Sequence, residues 1–109
     1  MQQYLVIMRM GDTRDPEIQR KRAELRDAHL KRAADFRDRG HVIIGGAVLD
    51  ADGTPAGSAA IARFETRAEV DAWLKDDPWT KSGVWTDFEI IPFKVSENYV
   101  VPPFPTKRP

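Results

Sequence analysis

Residues 41–65 read HVIIGGAVLDADGTPAGSAAIARFE, and this stretch decides the fold. Its two apolar runs, His41–Leu49 and Ser58–Glu65, are typical of strands, and the segment between them consists almost entirely of residues that favour turns. The runs therefore predict a β-hairpin. The pair Gly45-Gly46 lies inside the first run, where a bulge or a close approach of another backbone would require glycine.

Helices are predicted on either side of this hairpin. Upstream, Asp15-Pro16 supplies an N-cap followed by proline in the first turn, and Gly40 suits the position just beyond a helix end, so we expect a helix from 16 to about 39. Downstream, Thr66-Arg67-Ala68-Glu69 is a capping box that opens a second helix, and Pro78 fixes its exit. One face of this second helix is expected to carry Val70, Trp73, Leu74 and Asp77.

The first and last strands along the chain are predicted to be Tyr4–Met10 and Val84–Lys94. The order β-α-β-β-α-β predicts an α+β, ferredoxin-like fold in which an antiparallel sheet carries both helices on one face. Two helices cover only one side of four strands, yet apolar residues fall on both sides. A second copy of the same sheet would cover the other face, so we expect a homodimer. The sequence leaves open whether dimers assemble further.

The chain has 109 residues, which is enough for one domain with a modest core. We expect that domain to span residues 1–95. Residues 96–109 form a proline-rich tail, which is either disordered or laid across a neighbouring surface.

Charges are balanced, with 17 basic and 17 acidic side chains. This balance predicts neither a nucleic acid nor a membrane as a partner. A local basic cluster on the first helix is interleaved with acidic residues, which favours an ion-paired, solvent-exposed face over a binding patch. The cluster comprises Arg20, Lys21, Arg22, Arg26, Lys31 and Arg32.

The chain contains two histidines and no cysteine. Disulfides, thiolate nucleophiles and cysteine-based zinc sites are therefore excluded, and the spacing of the histidines suggests no other metal site. We expect no metal and no cofactor. The apolar run near the N-terminus is too short for a signal peptide or a membrane span, so we expect a cytoplasmic protein.

Two ionisable side chains occupy positions that the helical patterns make apolar. His29 lies in the middle of the apolar stripe of the first helix, and Asp77 lies on that of the second. Burial of such groups costs free energy unless they are paired, so we expect a contact in which Asp77 accepts the Nδ1–H and Nε2 exchanges a proton with a substrate. The structural alternatives are a core histidine bonded to a carbonyl, and an Asp-Pro turn whose carboxylate caps nearby amides.

Three further residues are candidates for substrate binding, each with a plainer alternative. Arg26, one helical turn before His29, either binds a carboxylate or phenolate or forms a surface ion pair. Ser58 either donates a hydrogen bond into the cleft or is an ordinary strand residue. Trp79 either stacks on an aromatic ligand or packs in the core. The second histidine, His41, is expected to face solvent.

In this order the residues resemble the motifs of the YCII-related (YciI-like) family, small bacterial proteins of the dimeric α/β-barrel superfamily. The resemblance covers roughly residues 3 to 94 and rests on Arg26-Asp27-Ala28-His29-Leu30, Gly45-Gly46, Gly57-Ser58, Trp73, Asp77-Pro78-Trp79, Gly83-Val84 and Ile91-Pro92-Phe93-Lys94. It implies a ferredoxin-like protomer, a face-to-face dimer, and an active site built on His29 and Asp77. The chain departs from the family pattern at Trp79, where Tyr or Phe is common, at Gly46, where proline is common, and in its tail.

This resemblance narrows the fold more than the reaction. Most members look like proteins without an assigned activity, one branch resembles a dehydrochlorinase of a chlorinated hydroxyquinol, and neighbouring branches include muconolactone isomerases and haem-degrading monooxygenases. The first hypothesis is a small cofactor-free lyase or isomerase, in one version a dehydrohalogenase, that moves a proton on a small aromatic or unsaturated acid or phenol. The second is a non-enzymatic dimer that binds a small ligand or serves as an accessory subunit, with a structural His29–Asp77 pair.

Overall fold

Four strands and three helices make up the described part of the chain, residues 1–105, in the computed structural model of the protein. In chain order they are β1 (Gln2–Met10), α1 (Pro16–Asp38), β2 (Val42–Leu49), β3 (Pro55–Phe64), α2 (Arg67–Lys75), α3 (Pro78–Lys81) and β4 (Trp85–Phe93). Every strand pair is antiparallel, and the order across the sheet is β2-β3-β1-β4. The predicted α+β, ferredoxin-like fold is therefore confirmed. None of the helices in these residues combines the length and the apolarity that a bilayer crossing needs.

Both ends of α1 follow from its sequence. The side chain of Asp15 accepts a hydrogen bond from the backbone N–H of Glu17, and proline follows as the first helical residue. At the other end Gly40 adopts φ +88°, a conformation that glycine reaches without strain. The backbone N–H groups of Gly40 and His41 then donate to the carbonyls of Arg37 and Phe36, both at 2.9 Å. This Schellman pattern ends the helix and turns the chain into β2.

The second helical region differs from its prediction. The capping box of Thr66 and Glu69 is present, but α2 ends at Lys75 and a separate short helix, α3, begins at Pro78 where a loop was expected. Asp77 therefore does not lie on the apolar face of α2. It is the N-cap of α3, and its side chain accepts from the backbone N–H of Trp79. The physical reason is the same Asp-Pro start signal that opens α1.

The core lies between the helices and one face of the sheet. Alternate residues of β1 point toward the helices and are buried, as the two-residue period of a strand requires. Three tryptophans belong to that layer, one each from α2, α3 and β4. The buried set includes Tyr4, Val6, Met8, Met10, Phe64, Val70, Trp73, Leu74, Trp79, Val84 and Trp85. Through these side chains α2 packs against β3 and α3 packs against β4.

The opposite face of the sheet is also apolar. Strand register places Leu5 beside Ile61 on one side and beside Ile91 on the other. Ile91 is 39% exposed, and Phe93 on the same face of β4 is similarly open. Apolar residues thus lie on both faces, as the sequence pattern predicted.

Glycine has a different role from the one predicted for the hairpin. The register of β2 shifts between Val42 and Ile44 and between Val48 and Leu49, whereas Gly45 and Gly46 pair regularly with β3. The prediction of a bulge at Gly45-Gly46 is therefore wrong. The close backbone approach is instead at Gly57, where a Cβ atom would collide with the carbonyl oxygen of Met8 on β1.

The tail returns to the opposite corner of the molecule. Phe104 and Pro105 cover Gly40, and a Cβ atom at that glycine would lie 2.8 Å from Cδ1 of Phe104. His41 does not face solvent as predicted, because its ring stacks on Phe64 at 4.5 Å and meets Phe104 edge-on at 5.4 Å. The guanidinium of Arg63 lies 5.3 Å from the Phe104 ring. The last part of the predicted tail, residues 106–109, lies outside the described residues.

Candidate functional site

His29 and Asp77 are in direct contact, although 48 residues separate them along the chain. Nδ1 of His29 lies 3.0 Å from Oδ2 and 3.1 Å from Oδ1 of Asp77. The side chains are 14% and 6% exposed, respectively. A carboxylate at this distance fixes the Nδ1–H tautomer of the neutral ring, because only a protonated Nδ1 can donate to it. Nε2 is then the ring nitrogen that can accept a proton.

Asp77 serves two further groups besides His29. Its Oδ1 accepts from the backbone N–H of Trp79 at 2.9 Å, and its Oδ2 accepts from the Arg32 guanidinium at 3.3 Å. Asp77 therefore both caps a helix and pairs with His29, two roles that the sequence presented as alternatives. Three donors compensate the buried negative charge, as a buried carboxylate requires.

Two tryptophans fix the plane of the His29 ring. Trp79 lies flat against the imidazole, with centroids 3.7 Å apart and planes inclined by 16°. Trp85 meets the same ring edge-on at 5.2 Å. The indole N–H of Trp79 donates to the Arg22 carbonyl at 3.1 Å, which ties α3 to α1. Trp79 is only 2% exposed, so the geometry favours a support for the histidine over a platform for a ligand ring.

An open cavity of about 500 Å³ lies between α1 and the β2–β3 side of the sheet. His29 and Arg26 line it from α1, Ser58 lines it from β3, and residues 42–47 of β2 form its outer wall. Its walls are otherwise largely aliphatic and aromatic. A cavity of this size and character suits a small ring-containing molecule. The structure therefore brings His29, Asp77, Ser58, Arg26 and Trp79 to one place.

Ser58 lies on the inner face of β3 between Met8 and Ala47. It is buried and lines the cavity. A hydroxyl in such a position can donate to a ligand or accept from one. Arg26 is exposed at the mouth of the cavity, and the surface ion pair proposed as its alternative is not formed with any residue of the same range.

Sequence reasoning missed two arginines of the site. Arg32 contacts Asp77, and Arg22 lines the cavity with its guanidinium carbon 4.8 Å from the Trp79 ring centroid. Burial, and to a smaller extent the charge of Arg26, lower the pKa of Arg22 from its usual range. The ion-paired surface predicted for the basic cluster applies to Arg20, which pairs with acidic neighbours on α1, but it is wrong for Arg22 and Arg32. The sequence spacing could have indicated the position of Arg22, because Arg22 lies on the same helical stripe as His29.

No group of three or more His, Asp or Glu side chains in residues 1–105 is arranged to hold a metal ion. The chemistry that the described groups can perform is proton transfer. The imidazole, held by a carboxylate on one side and an indole on its face, can take a proton at Nε2 and return it.

Fold and site together define a class of protein: a small ferredoxin-like α+β protein whose partly buried histidine–carboxylate pair adjoins an open cavity. The chain belongs to the YCII family, described as the YCII-related domain, whose model matches residues 4–94. This confirms the family that the motifs indicated.

Curated relatives agree with this family. The chain is 32% identical over 80 residues to Protein YciI of Escherichia coli O6:H1, covering 68% of this chain and 82% of the relative. It is 31% identical over 85 residues to an uncharacterized protein of Haemophilus influenzae, covering 72% and 87%, respectively.

A solved structure shares the fold. It is the 5-chloro-2-hydroxyhydroquinone dehydrochlorinase (TftG) from Burkholderia phenoliruptrix AC1100 in complex with 2,5-dihydroxybenzoquinone. The TM-score is 0.73 at 24% identity, with 88% of this chain and 97% of that chain covered. At this identity the likeness shows the fold alone.

Proposed function

We propose that the protein is a cofactor-free acid–base enzyme, a lyase or isomerase, acting on a small aromatic or unsaturated acid or phenol. One observation carries the proposal: His29 is held at Nδ1 by Asp77 and across its ring by Trp79, at the wall of a cavity large enough for such a molecule. A histidine fixed in this way is prepared for proton transfer without a metal.

In the proposed reaction Nε2 of His29 removes a proton from a carbon or a hydroxyl of the substrate. Asp77 stabilises the imidazolium that forms, because its carboxylate already accepts from Nδ1. In a dehydrohalogenation, the C–H bonding electrons form a new double bond and a halide leaves with the electrons of its own bond. The imidazolium then returns its proton to water. General-base catalysis of this type contributes about 10²–10⁴-fold, which suits a proton that is already fairly acidic.

Two features support this class of reaction. The fold neighbour named above is a dehydrochlorinase whose complex holds a dihydroxybenzoquinone, so halogenated hydroxyquinols are the first substrates to test. The family relationship over residues 4–94 covers every element that builds the site. We propose roles of substrate contact for Arg26 and Ser58, and of ring positioning for Trp79.

We propose that the protein works as a homodimer formed through the open sheet face. The apolar strip of Leu5, Ile61 and Ile91 crosses three strands on that face, and a strip of this kind normally marks an interface. A location in the cytoplasm stays a prediction.

The second candidate function is a non-enzymatic dimer that binds a small ligand or serves as an accessory subunit. The threefold compensation of Asp77 supports it, since a carboxylate that caps α3 and pairs with His29 and Arg32 has a sufficient structural reason to be present.

A test of the enzyme proposal compares the wild-type chain with His29→Gln on halogenated hydroxyquinols and on small aromatic acids. We expect halide release or isomerised product with the wild type and a loss of at least about a hundredfold with the variant. A ligand-dependent change of the His29 ring signals in NMR spectra, with no product formed from any compound, would favour the binding protein. Equal turnover by both chains would remove the enzyme claim.

A further inference from the structure

Positive charge around the cavity is not balanced by the residues that line it. Three arginines of α1 line the cavity, namely Arg22, Arg26 and Arg37, and the acidic lining residue is Asp77. Asp77 is already engaged with His29 and Arg32. Arg37 pairs with Asp38 at the surface. Arg22 and Arg26 have no carboxylate partner within residues 1–105.

Arg22 is the more unusual of the two, because it is half-buried. Its guanidinium lies over the Trp79 ring, and its carbonyl accepts from the indole N–H of the same residue. Charged side chains that leave solvent are normally paired. Burial and the neighbouring charge of Arg26 both disfavour the cationic form of Arg22 and lower its pKa. An anion in the cavity would offset both costs at once.

We propose that Arg22 and Arg26 form a carboxylate-binding site, and that among the proposed substrates the cavity prefers carboxylic acids over neutral phenols such as the hydroxyquinols. This inference deepens the proposed function and rests on it for the chemistry at His29. A guanidinium presents two parallel N–H donors that match the two oxygens of a carboxylate, which a single phenolate oxygen does not.

The spacing along α1 places both arginines on the N-terminal side of His29. Arg26 and Arg22 precede His29 by three and seven residues, which corresponds to a helix rise of about 4.5 and about 10.5 Å. The two arginines and His29 line the same cavity, so a carboxylate held by the arginines lies in the same cavity as the imidazole. A ring carried by that carboxylate can then extend toward His29.

The test uses binding alone, with sodium benzoate and its neutral counterpart benzamide as probes. Each is titrated into the full-length chain and followed by NMR shifts of labelled backbone and arginine side-chain groups. We expect saturable binding of benzoate at the cavity and at least tenfold weaker binding of benzamide, because a charge-assisted pair is lost.

Variants locate the effect. Arg26→Gln and Arg22→Gln are each expected to weaken benzoate binding by about tenfold, and Arg22→Lys, which keeps the charge but not the paired donors, by a smaller factor. The matched control is Arg20→Gln on the same helix, whose side chain pairs with Glu17 and Glu24 away from the cavity. Benzoate and benzamide binding equally, or an equal loss in the Arg20 control, would overturn the proposal.

His29→Gln separates this inference from the proposed function. In that variant the preference for benzoate over benzamide is expected to persist, since the arginines and not the imidazole recognise the carboxylate. Turnover that depends on His29 but shows no preference for acids would disprove the carboxylate site and leave the enzyme proposal standing. Selective benzoate binding without any turnover would support the carboxylate site and disprove the enzyme proposal.

Discussion

The imidazole of His29 lies flat on the indole of Trp79, with 3.7 Å between the ring centroids. The contact joins the middle of α1 to the first turn of α3, and the indole N–H reinforces it by donating to the Arg22 carbonyl. The ring that would transfer the proton is therefore held by packing as well as by a hydrogen bond. Its orientation depends on a residue that is almost fully buried.

Trp79→Ala is expected to lower the free energy of unfolding by about 3–5 kcal/mol, as truncation of a buried tryptophan usually does. Trp79→Phe is the matched variant: it keeps a ring against His29 and loses the hydrogen bond to Arg22, so its loss should be smaller. Urea unfolding measures both values. A ring-current shift of the His29 protons in NMR spectra should persist in the Phe variant and decrease in the Ala variant, in which Trp85 alone still contacts the ring. An unchanged His29 spectrum in Trp79→Ala would contradict the supporting role.

Asp77→Asn separates the two duties of this residue. Asparagine is as good an N-cap as aspartate, so α3 should remain folded, while the charge that stabilises an imidazolium is lost. We expect little change in stability beyond the lost ion pairs and a fall in turnover of at least about a hundredfold. Asp77→Ala removes the cap as well, which costs about 1 kcal/mol more. Wild-type turnover in the Asn variant would show that the carboxylate has no chemical role.

Gly40→Ala is expected to be destabilising for two separable reasons. The positive φ disfavours any side chain by about 1–2 kcal/mol, and the added methyl group collides with Phe104 and Pro105. Deleting residues 103–109 removes the second reason only. A double-mutant cycle by urea unfolding should therefore give a coupling of about 0.5–3 kcal/mol between the substitution and the deletion. Additive effects would mean that the tail does not rest on this corner in solution.

Ile91→Lys tests the proposed dimer. A lysine ammonium in the apolar strip of the open sheet face would have to be buried without a partner. We expect the variant to be monomeric by analytical ultracentrifugation at concentrations where the wild type is dimeric. Thr86→Lys is the control, because Thr86 is exposed on the same strand but lies at the register shift beside Met10, five residues away from Ile91. A wild type that is monomeric, or an unchanged assembly of Ile91→Lys, would argue against the sheet-face dimer.

Local signals predicted the fold well. The Asp-Pro start and Gly40 end of α1, and the capping box of α2, are decided by residues within a few positions of one another. Asp77 was harder because an Asp-Pro pair can close one helix region and open the next. Only the end of the second helix was predicted there, and the start of α3 at Pro78 was not.

Long-range contacts explain what the sequence did not predict. Arg32 reaches Asp77 across 45 residues, so its role was hidden in an ordinary run of basic side chains. The environment of His41 depends on Phe104, which belongs to the tail and not to the compact domain. Pattern reasoning detects a polar residue on an apolar stripe, but it cannot say which distant segment covers a given surface.

The backbone N–H of Trp79 donates to Oδ1 of Asp77, so the geometry of the site is coupled to local unfolding of α3. When the first turn of α3 opens, Asp77 and Trp79 move together, so His29 loses its hydrogen-bond partner and its stacking partner at once. Amide hydrogen exchange at Trp79 therefore reports the fraction of molecules in which the site is assembled. The measurement needs no substrate.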